Sequence, residues 1–270
     1  MCELFAMSSQ LPTSISFSLE TLARRGGAEG PHRDGWGIAF YEGRDVLLLR
    51  EPCSASESEW VPHIEQHGPP SEQVILHLRL ATNGEASLQN TQPYVRELGG
   101  YSHVFAHNGD LPGIEDHIEF KTARFQSIGE TDSERAFCYL MESMADIWGG
   151  KEQGPPPLDN RLDIVTAFAA KIRVFGPANF IYADGDALFI HADRRTQANN
   201  IIEPPGLHIL ERQCMEGVTE LNDSGVRLSS AQQKLVLVAS VPLTDEAWQP
   251  MAEGEVLVLV KGMVAGRRLS

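Results

Sequence analysis

The chain has 270 residues, with 22 Lys and Arg against 37 Asp and Glu, and a formal net charge of −15. Such acidity excludes nucleic acid and anionic membrane as principal partners, because both demand clustered cations. With 42% hydrophobic and 22% charged residues the composition is that of a globular chain able to bury a sizeable core.

At the start, Met1 to Ser9 lacks the basic and apolar regions of a secretion signal, and no apolar run approaches the roughly 18–20 residues that span a bilayer, so a cytoplasmic protein is expected. Glu3 to Met7 is a short apolar segment, and Ser16 to Arg25 is predicted as a helix ending at Gly26-Gly27. Gly37 to Tyr41 and Asp45 to Arg50 flank Glu42-Gly43-Arg44 and predict a hairpin. Val74 to Arg79 and Ser102 to His107 are further strand candidates, rich in β-branched and aromatic residues.

The clearest helix follows Thr131-Asp132-Ser133-Glu134, a capping box in which the Thr131 hydroxyl and the Glu134 carboxylate satisfy free backbone N–H groups. Behind it Ala136, Phe137, Leu140, Met141, Met144, Ile147 and Trp148 recur at helical spacing, until Gly149-Gly150. Gly154-Pro155-Pro156-Pro157 is a stiff connection to a second amphipathic helix, Arg161 to Phe175. At least four strands are predicted after it: Asn179 to Ala183, Ala187 to His191, Lys234 to Val241 and Glu255 to Val260, the first two joined by a turn at Asp184-Gly185-Asp186. Strands, an adjacent helix pair, then strands again suit an α+β protein with helices packed on sheets, not a βαβ repeat. A single domain over residues 1–270 is expected.

Four cysteines are scattered without a Cys-x-x-Cys pair, and Cys53, Cys138 and Cys214 are expected as reduced, structural thiols. The pairs His63/His67 and His103/His107 lack companion ligands, so no metal site is expected. Cys2 differs by position. Removal of Met1 would leave a residue carrying both a thiol and an α-amine, whose pKa of about 7.7–8.0 lets it act as base for its own thiol. His77 to Gly84 leaves a strand for a loop and carries Arg79 and Thr82, and Phe105 to Asp110 runs from a strand into Asn108-Gly109. Asn-Gly suits a plain turn; it also suits an oxyanion hole made from the Asn amide and the following N–H. Asp132, in the first helical turn, complements the helix dipole.

In order, Met1-Cys2, Arg33-Asp34-Gly35-Trp36-Gly37, His77-x-Arg79-x-Ala81-Thr82-x-Gly84, Asn90-Thr91-Gln92-Pro93, His107-Asn108-Gly109 and Glu130-Thr131-Asp132-Ser133-Glu134 resemble the class II glutamine amidotransferase domain, an N-terminal-nucleophile (Ntn) hydrolase. The closest resemblance is to stand-alone bacterial amidotransferase-like proteins. It implies a four-layer αββα sandwich and a mature chain starting at Cys2. Cys2 is implied as the nucleophile toward a γ-glutamyl amide, forming a thioester, with Asn108 and Gly109 holding the oxyanion. Arg79 is implied to bind the α-carboxylate, Asp132 the α-ammonium, and Thr82 to add a hydroxyl contact. No cofactor is implied. Leu80 stands where many members have Trp, and Gln92 where His is common; both bear on substrate choice more than on catalysis. No nucleotide loop or sugar-phosphate motif occurs in residues 160–270, so hydrolysis of a small γ-glutamyl substrate is the first expectation. The alternatives are an ammonia-donating subunit of a separate synthase and a non-catalytic γ-glutamyl-binding module.

Overall fold

The computed structural model of the chain describes residues 2–17, 33–81, 84–148, 154–214, 217–221, 226–230 and 232–270. Its strands are β1 (Glu3–Phe17), β2 (Trp36–Glu42), β3 (Asp45–Glu51), β4 (Ser71–Leu78), β5 (Tyr94–Leu98), β6 (Tyr101–Gly109), β7 (Ala178–Ala183), β8 (Leu188–Ala192), β9 (Arg195–Thr196) and β10 (Ile202–Glu203). They continue as β11 (His208–Cys214), β12 (Gly217–Leu221), β13 (Val226–Ser230), β14 (Gln233–Ala239), β15 (Gln249–Pro250), β16 (Glu255–Val260) and β17 (Met263–Leu269). The helices are α1 (Trp60–His67), α2 (Asp132–Ala145) and α3 (Leu158–Ile172).

One sheet runs β15-β11-β14-β1-β4-β2-β3, with β13 also on β1 and β12 on β13; the other runs β17-β16-β8-β7-β6-β5. All pairings in both are antiparallel, as expected without βαβ units. The period-2 alternation of side chains divides the core into three layers. Leu4 and Ala6 of β1 and Val236 and Val238 of β14 meet Val104, Ala106, Ile181, Ala183, Leu257 and Leu259 of the other sheet. The intervening residues Phe5, Met7, Leu235 and Leu237 turn outward to Val61 and Ile64 of α1. On the far side Phe105, Phe180, Tyr182, Val256 and Val258 pack against Phe137, Leu140 and Met144 of α2 and Val165, Phe168 and Ala169 of α3. Three apolar interfaces between four layers make the α+β, αββα sandwich. Arg161 fixes α3 to the β7–β8 turn through contacts of 2.7 Å to the buried Asp184 and 2.6 Å to the exposed Asp186.

Most predicted elements are present with small shifts of boundary. The region predicted as a helix from Ser16 begins instead as the end of β1, because Ser16 and Phe17 pair with Arg227 and Val226; residues 18–25 and Gly26-Gly27 lie outside the described residues, as do Gly149-Gly150. Helix α1 was not predicted: its eight residues bury chiefly Val61 and Ile64, too few to display a helical period, and Pro62 is tolerated because it sits in the first turn. Strand β17 was missed because Met263–Leu269, an edge strand largely exposed along its length, is interrupted by Gly266 and Arg267-Arg268 and shows no apolar run or alternation.

Candidate active site

The strand side of the site begins where the β1–β4 ladder ends, at Glu3 opposite Leu78. One residue earlier, Cys2 takes up a side-chain pairing with the loop after β4: Leu80 N–H donates to Sγ at 3.4 Å and the thiol donates to the Leu80 carbonyl at 3.5 Å. Burial pushes the Cys2 thiol pKa up, against the opposing pull of the Leu80 N–H and the Arg79 charge. The Arg79 guanidinium is 3% exposed and donates to the carbonyls of Asp34, Glu85 and Gly84, each at 3.2 Å. Asp34 in turn accepts from Ala81 N–H at 2.8 Å, and Gly35 accepts from Arg79 N–H at 2.8 Å, so the Asp34-Gly35 and Arg79–Ala81 segments are stitched together. Gly35 has φ +143°, a region L side chains rarely adopt.

Strand β6 delivers His107, Asn108 and Gly109. A side chain at Gly109 would collide with the Pro177 carbonyl, so the close packing against that residue requires glycine. Asn108 is fully buried; its Nδ2 lies 3.5 Å from Ser240 Oγ, which also accepts from Leu4 N–H at 2.9 Å. Its Oδ1 is buried without a hydrogen-bond partner among the described residues. His107 donates its backbone N–H to Gln92 Oε1 at 2.6 Å and places Nδ1 2.8 Å from Ser133 Oγ. Burial lowers the His107 pKa, against the opposing effect of Asp132, and so favours the neutral ring.

The helix side is the start of α2. Thr131 Oγ1 accepts from Glu134 N–H at 3.2 Å and lies 2.6 Å from Tyr94 OH, while Glu134 accepts from Gly129 N–H at 2.7 Å. Asp132 uses both carboxylate oxygens, one on Ser133 N–H at 2.7 Å and the other on Leu111 N–H at 2.6 Å.

These sides enclose a small polar cleft lined by Cys2, Arg79, Gly109 and Asp132, with Leu80, Ala81, Gln92, His107, Thr131 and Ser133. Four of the six expected site residues therefore converge from four separate segments. Asn108 is adjacent in sequence to two lining residues but is not itself in the lining, and Thr82 lies outside the described residues. A thiol, a guanidinium and a carboxylate around one cleft match an amino-acid head group beside a reactive carbonyl. Among the described residues no His, Cys, Asp or Glu cluster is arranged to hold a metal, and no helix is long and apolar enough to cross a membrane.

Sequence reasoning had no means to find the Leu80 backbone or Ser240, whose contacts join residues 78 and 132 positions apart. His107 and Ser133 stood inside the matched motifs without an assigned task, and Gln92 was read only as bearing on substrate choice; their polarity amid apolar or capping residues was the available signal.

A family model of class II glutamine amidotransferases matches residues 1–269. YafJ of Escherichia coli (strain K12), a candidate glutamine amidotransferase, is 33% identical over 261 residues, covering 94% of this chain and 96% of YafJ. The crystal structure of a predicted glutamine amidotransferase from Pseudomonas aeruginosa PA01 superposes with TM-score 0.70 at 31% identity, covering 98% of this chain and 99% of that one. The glutamine phosphoribosylpyrophosphate amidotransferase of B. subtilis, at 17% identity and TM-score 0.57, shares the fold over 99% of this chain and 48% of its own length.

Proposed function

The chain belongs to the class II glutamine amidotransferase family, and from that premise we propose that it hydrolyses glutamine or another small γ-glutamyl amide through an N-terminal cysteine. The observation that carries this reading is the meeting of Cys2, Arg79, Gly109 and Asp132 at one cleft. Residues 1–270 act as one domain, with Cys2 first once Met1 is removed. The Cys2 α-amine takes the thiol proton as Sγ attacks the γ-carbonyl carbon. The Gly109 N–H and the Asn108 amide receive the oxyanion, and the long contact from Asn108 to Ser240 is weak enough to be released for that purpose. The tetrahedral adduct collapses as the C–N bond breaks, the α-ammonium returns its proton to the leaving nitrogen, and a γ-glutamyl thioester remains. Water then attacks the thioester, releasing the acid and the thiol. Arg79 holds the α-carboxylate, Asp132 the α-ammonium, and Thr82 contributes its hydroxyl.

Steady-state hydrolysis of a panel of γ-glutamyl amides by Met1-free protein, with Cys2→Ala as blank, tests the proposal. Turnover of at least one amide above the blank, without added protein, is expected. One observation favours a second reading, an ammonia-donating subunit: the Asn108 amide is engaged with Ser240 and outside the cleft lining, as in an oxyanion hole completed only when a synthase docks. Silence alone, with activity restored by a cell extract, would favour that reading.

A further inference from the structure

A second cavity, of about 450 Å³, adjoins the cleft and falls in the size range of small-molecule sites. The two share a wall. Arg50, which lines the cavity, donates to the Thr91 carbonyl at 2.7 Å, and the next residue, Gln92, lines the cleft. Tyr94, also of the cavity, bonds Thr131 of the cleft.

The cavity holds two guanidiniums and one carboxylate, from Arg50, Arg96 and Glu134. Arg96 is consumed by Glu134 at 2.5 Å and by the carbonyls of Val95 and Gln126. Arg50 makes no ion pair among the described residues, so the two guanidiniums outnumber the one carboxylate and the cavity carries one excess positive charge. Burial lowers the Arg50 pKa, against the opposing pull of Tyr94 and Glu134 and with a smaller push from the Arg96 charge, so an incoming anion would relieve the buried cation. Ser87 supplies a buried hydroxyl with no hydrogen-bond partner among the described residues. Leu88, 53% exposed, and Ile128, 72% exposed, add apolar surface to the same cavity.

We propose that this cavity binds a small organic anion, a carboxylate or phosphate ester on an apolar body, with Arg50 and Ser87 taking the anionic head and Leu88 and Ile128 covering the body. A guanidinium forks onto either head group, and the uncompensated charge selects for an anion over a neutral ligand.

Isothermal titration of Cys2→Ala protein at constant ionic strength, with phenyl phosphate, benzoate and inorganic phosphate as probes, reads this site without turnover. Failure of the amidase reading therefore leaves its outcome intact. At least one aromatic anion should bind, more tightly than inorganic phosphate, and the stronger of the two identifies the head group. Arg50→Gln should weaken binding at least about tenfold. Ile128→Asp should weaken it and Ile128→Lys tighten it by several-fold, while Arg79→Gln leaves it unchanged. The Ile128 pair decides the matter if Arg50→Gln fails to fold, since that side chain is exposed. Absence of binding by both aromatic anions would overturn the proposal. So would binding indifferent to the charge at position 128, or binding lost with Arg79→Gln.

Discussion

On the helix side of the cleft, Thr131, Asp132, Ser133 and Glu134 reach their partners at 2.5–3.3 Å, and nearly every polar group has one. On the strand side the Arg79 guanidinium is anchored on three carbonyls at 3.2 Å, but the Cys2 thiol is held only by two contacts to Leu80 of 3.4 and 3.5 Å, and the Asn108 side chain by one of 3.5 Å to Ser240. The first wall is a preassembled hydrogen-bond network; the second leaves its thiol and its amide lightly held. That division suits the proposed chemistry, in which the head group must be gripped in a fixed place while the nucleophile and an oxyanion donor move onto the reacting carbon.

The sharpest way to break the comparison is to remove strand-side groups and look for losses of turnover without losses of stability. Cys2→Ala should reduce hydrolysis to background, with the melting temperature within a few degrees of the parent, whereas Cys53→Ala and Cys138→Ala should keep full activity. Asn108→Ala should lower kcat by about 10²–10³-fold if its amide donates to the oxyanion. An unchanged kcat would leave the Gly109 N–H as the donor supported by this account and remove Asn108 from it.

Head-group recognition comes next in size. Arg79→Lys keeps the charge but loses the fork, and a loss of about 10–100-fold in kcat/KM is expected. Asp132→Asn should produce a comparable loss on substrates with a free α-amine. Equal turnover of amides with free and blocked α-groups would contradict both assignments. On the helix side Thr131→Ala should act chiefly on stability, by about 1 kcal/mol through the lost cap, which for a chain of this size lowers the melting temperature by about 2–4 °C.

The two walls also differ in their response to pH. His107 joins the helix wall as a buried ring whose pKa is lowered by burial, so the unfolded chain takes up the proton first as pH falls. Its contribution to stability is complete above the unfolded value near 6.5 and is lost as pH falls below it. His103, lowered to about 4 by burial, adds loss of the same sign between pH 6.5 and about 4. Urea unfolding at pH 7 and pH 5 should show the decline, and constant stability would contradict it. In protein that retains Met1, Cys2, pushed the other way, should react with iodoacetamide at a rate still rising above the ordinary thiol range near pH 8.5.

The contrast also accounts for what could be seen in the sequence. The helix wall is local: a Thr-x-x-Glu box followed by apolar residues at helical spacing identifies the start of α2 within four residues. The apolar runs of β6, β7, β14 and β16 likewise revealed strands, and the order of strands, helix pair and strands revealed the α+β class, whereas the four layers came from the family resemblance. The strand wall depends on pairings between distant segments, such as Cys2 with Leu80 and Asn108 with Ser240, and no local pattern encodes a backbone partner. The motifs supplied the names of residues at the site, but not that Arg79 would be anchored on the carbonyls of Asp34, Gly84 and Glu85, or that Asn108 would lie against Ser240.

The central claim is that Cys2, freed of Met1, is the nucleophile of a γ-glutamyl site. A diazoketone with the glutamine skeleton, which alkylates a thiol with loss of nitrogen, tests it most directly when the labelled protein is digested and mapped by mass spectrometry. The account predicts one adduct per chain, on Cys2, formed rapidly in Met1-free protein, suppressed by glutamine and nearly absent when Met1 is retained. Labelling of Cys53, Cys138 or Cys214 in its place, or equal labelling of Cys2 with and without Met1, would contradict it.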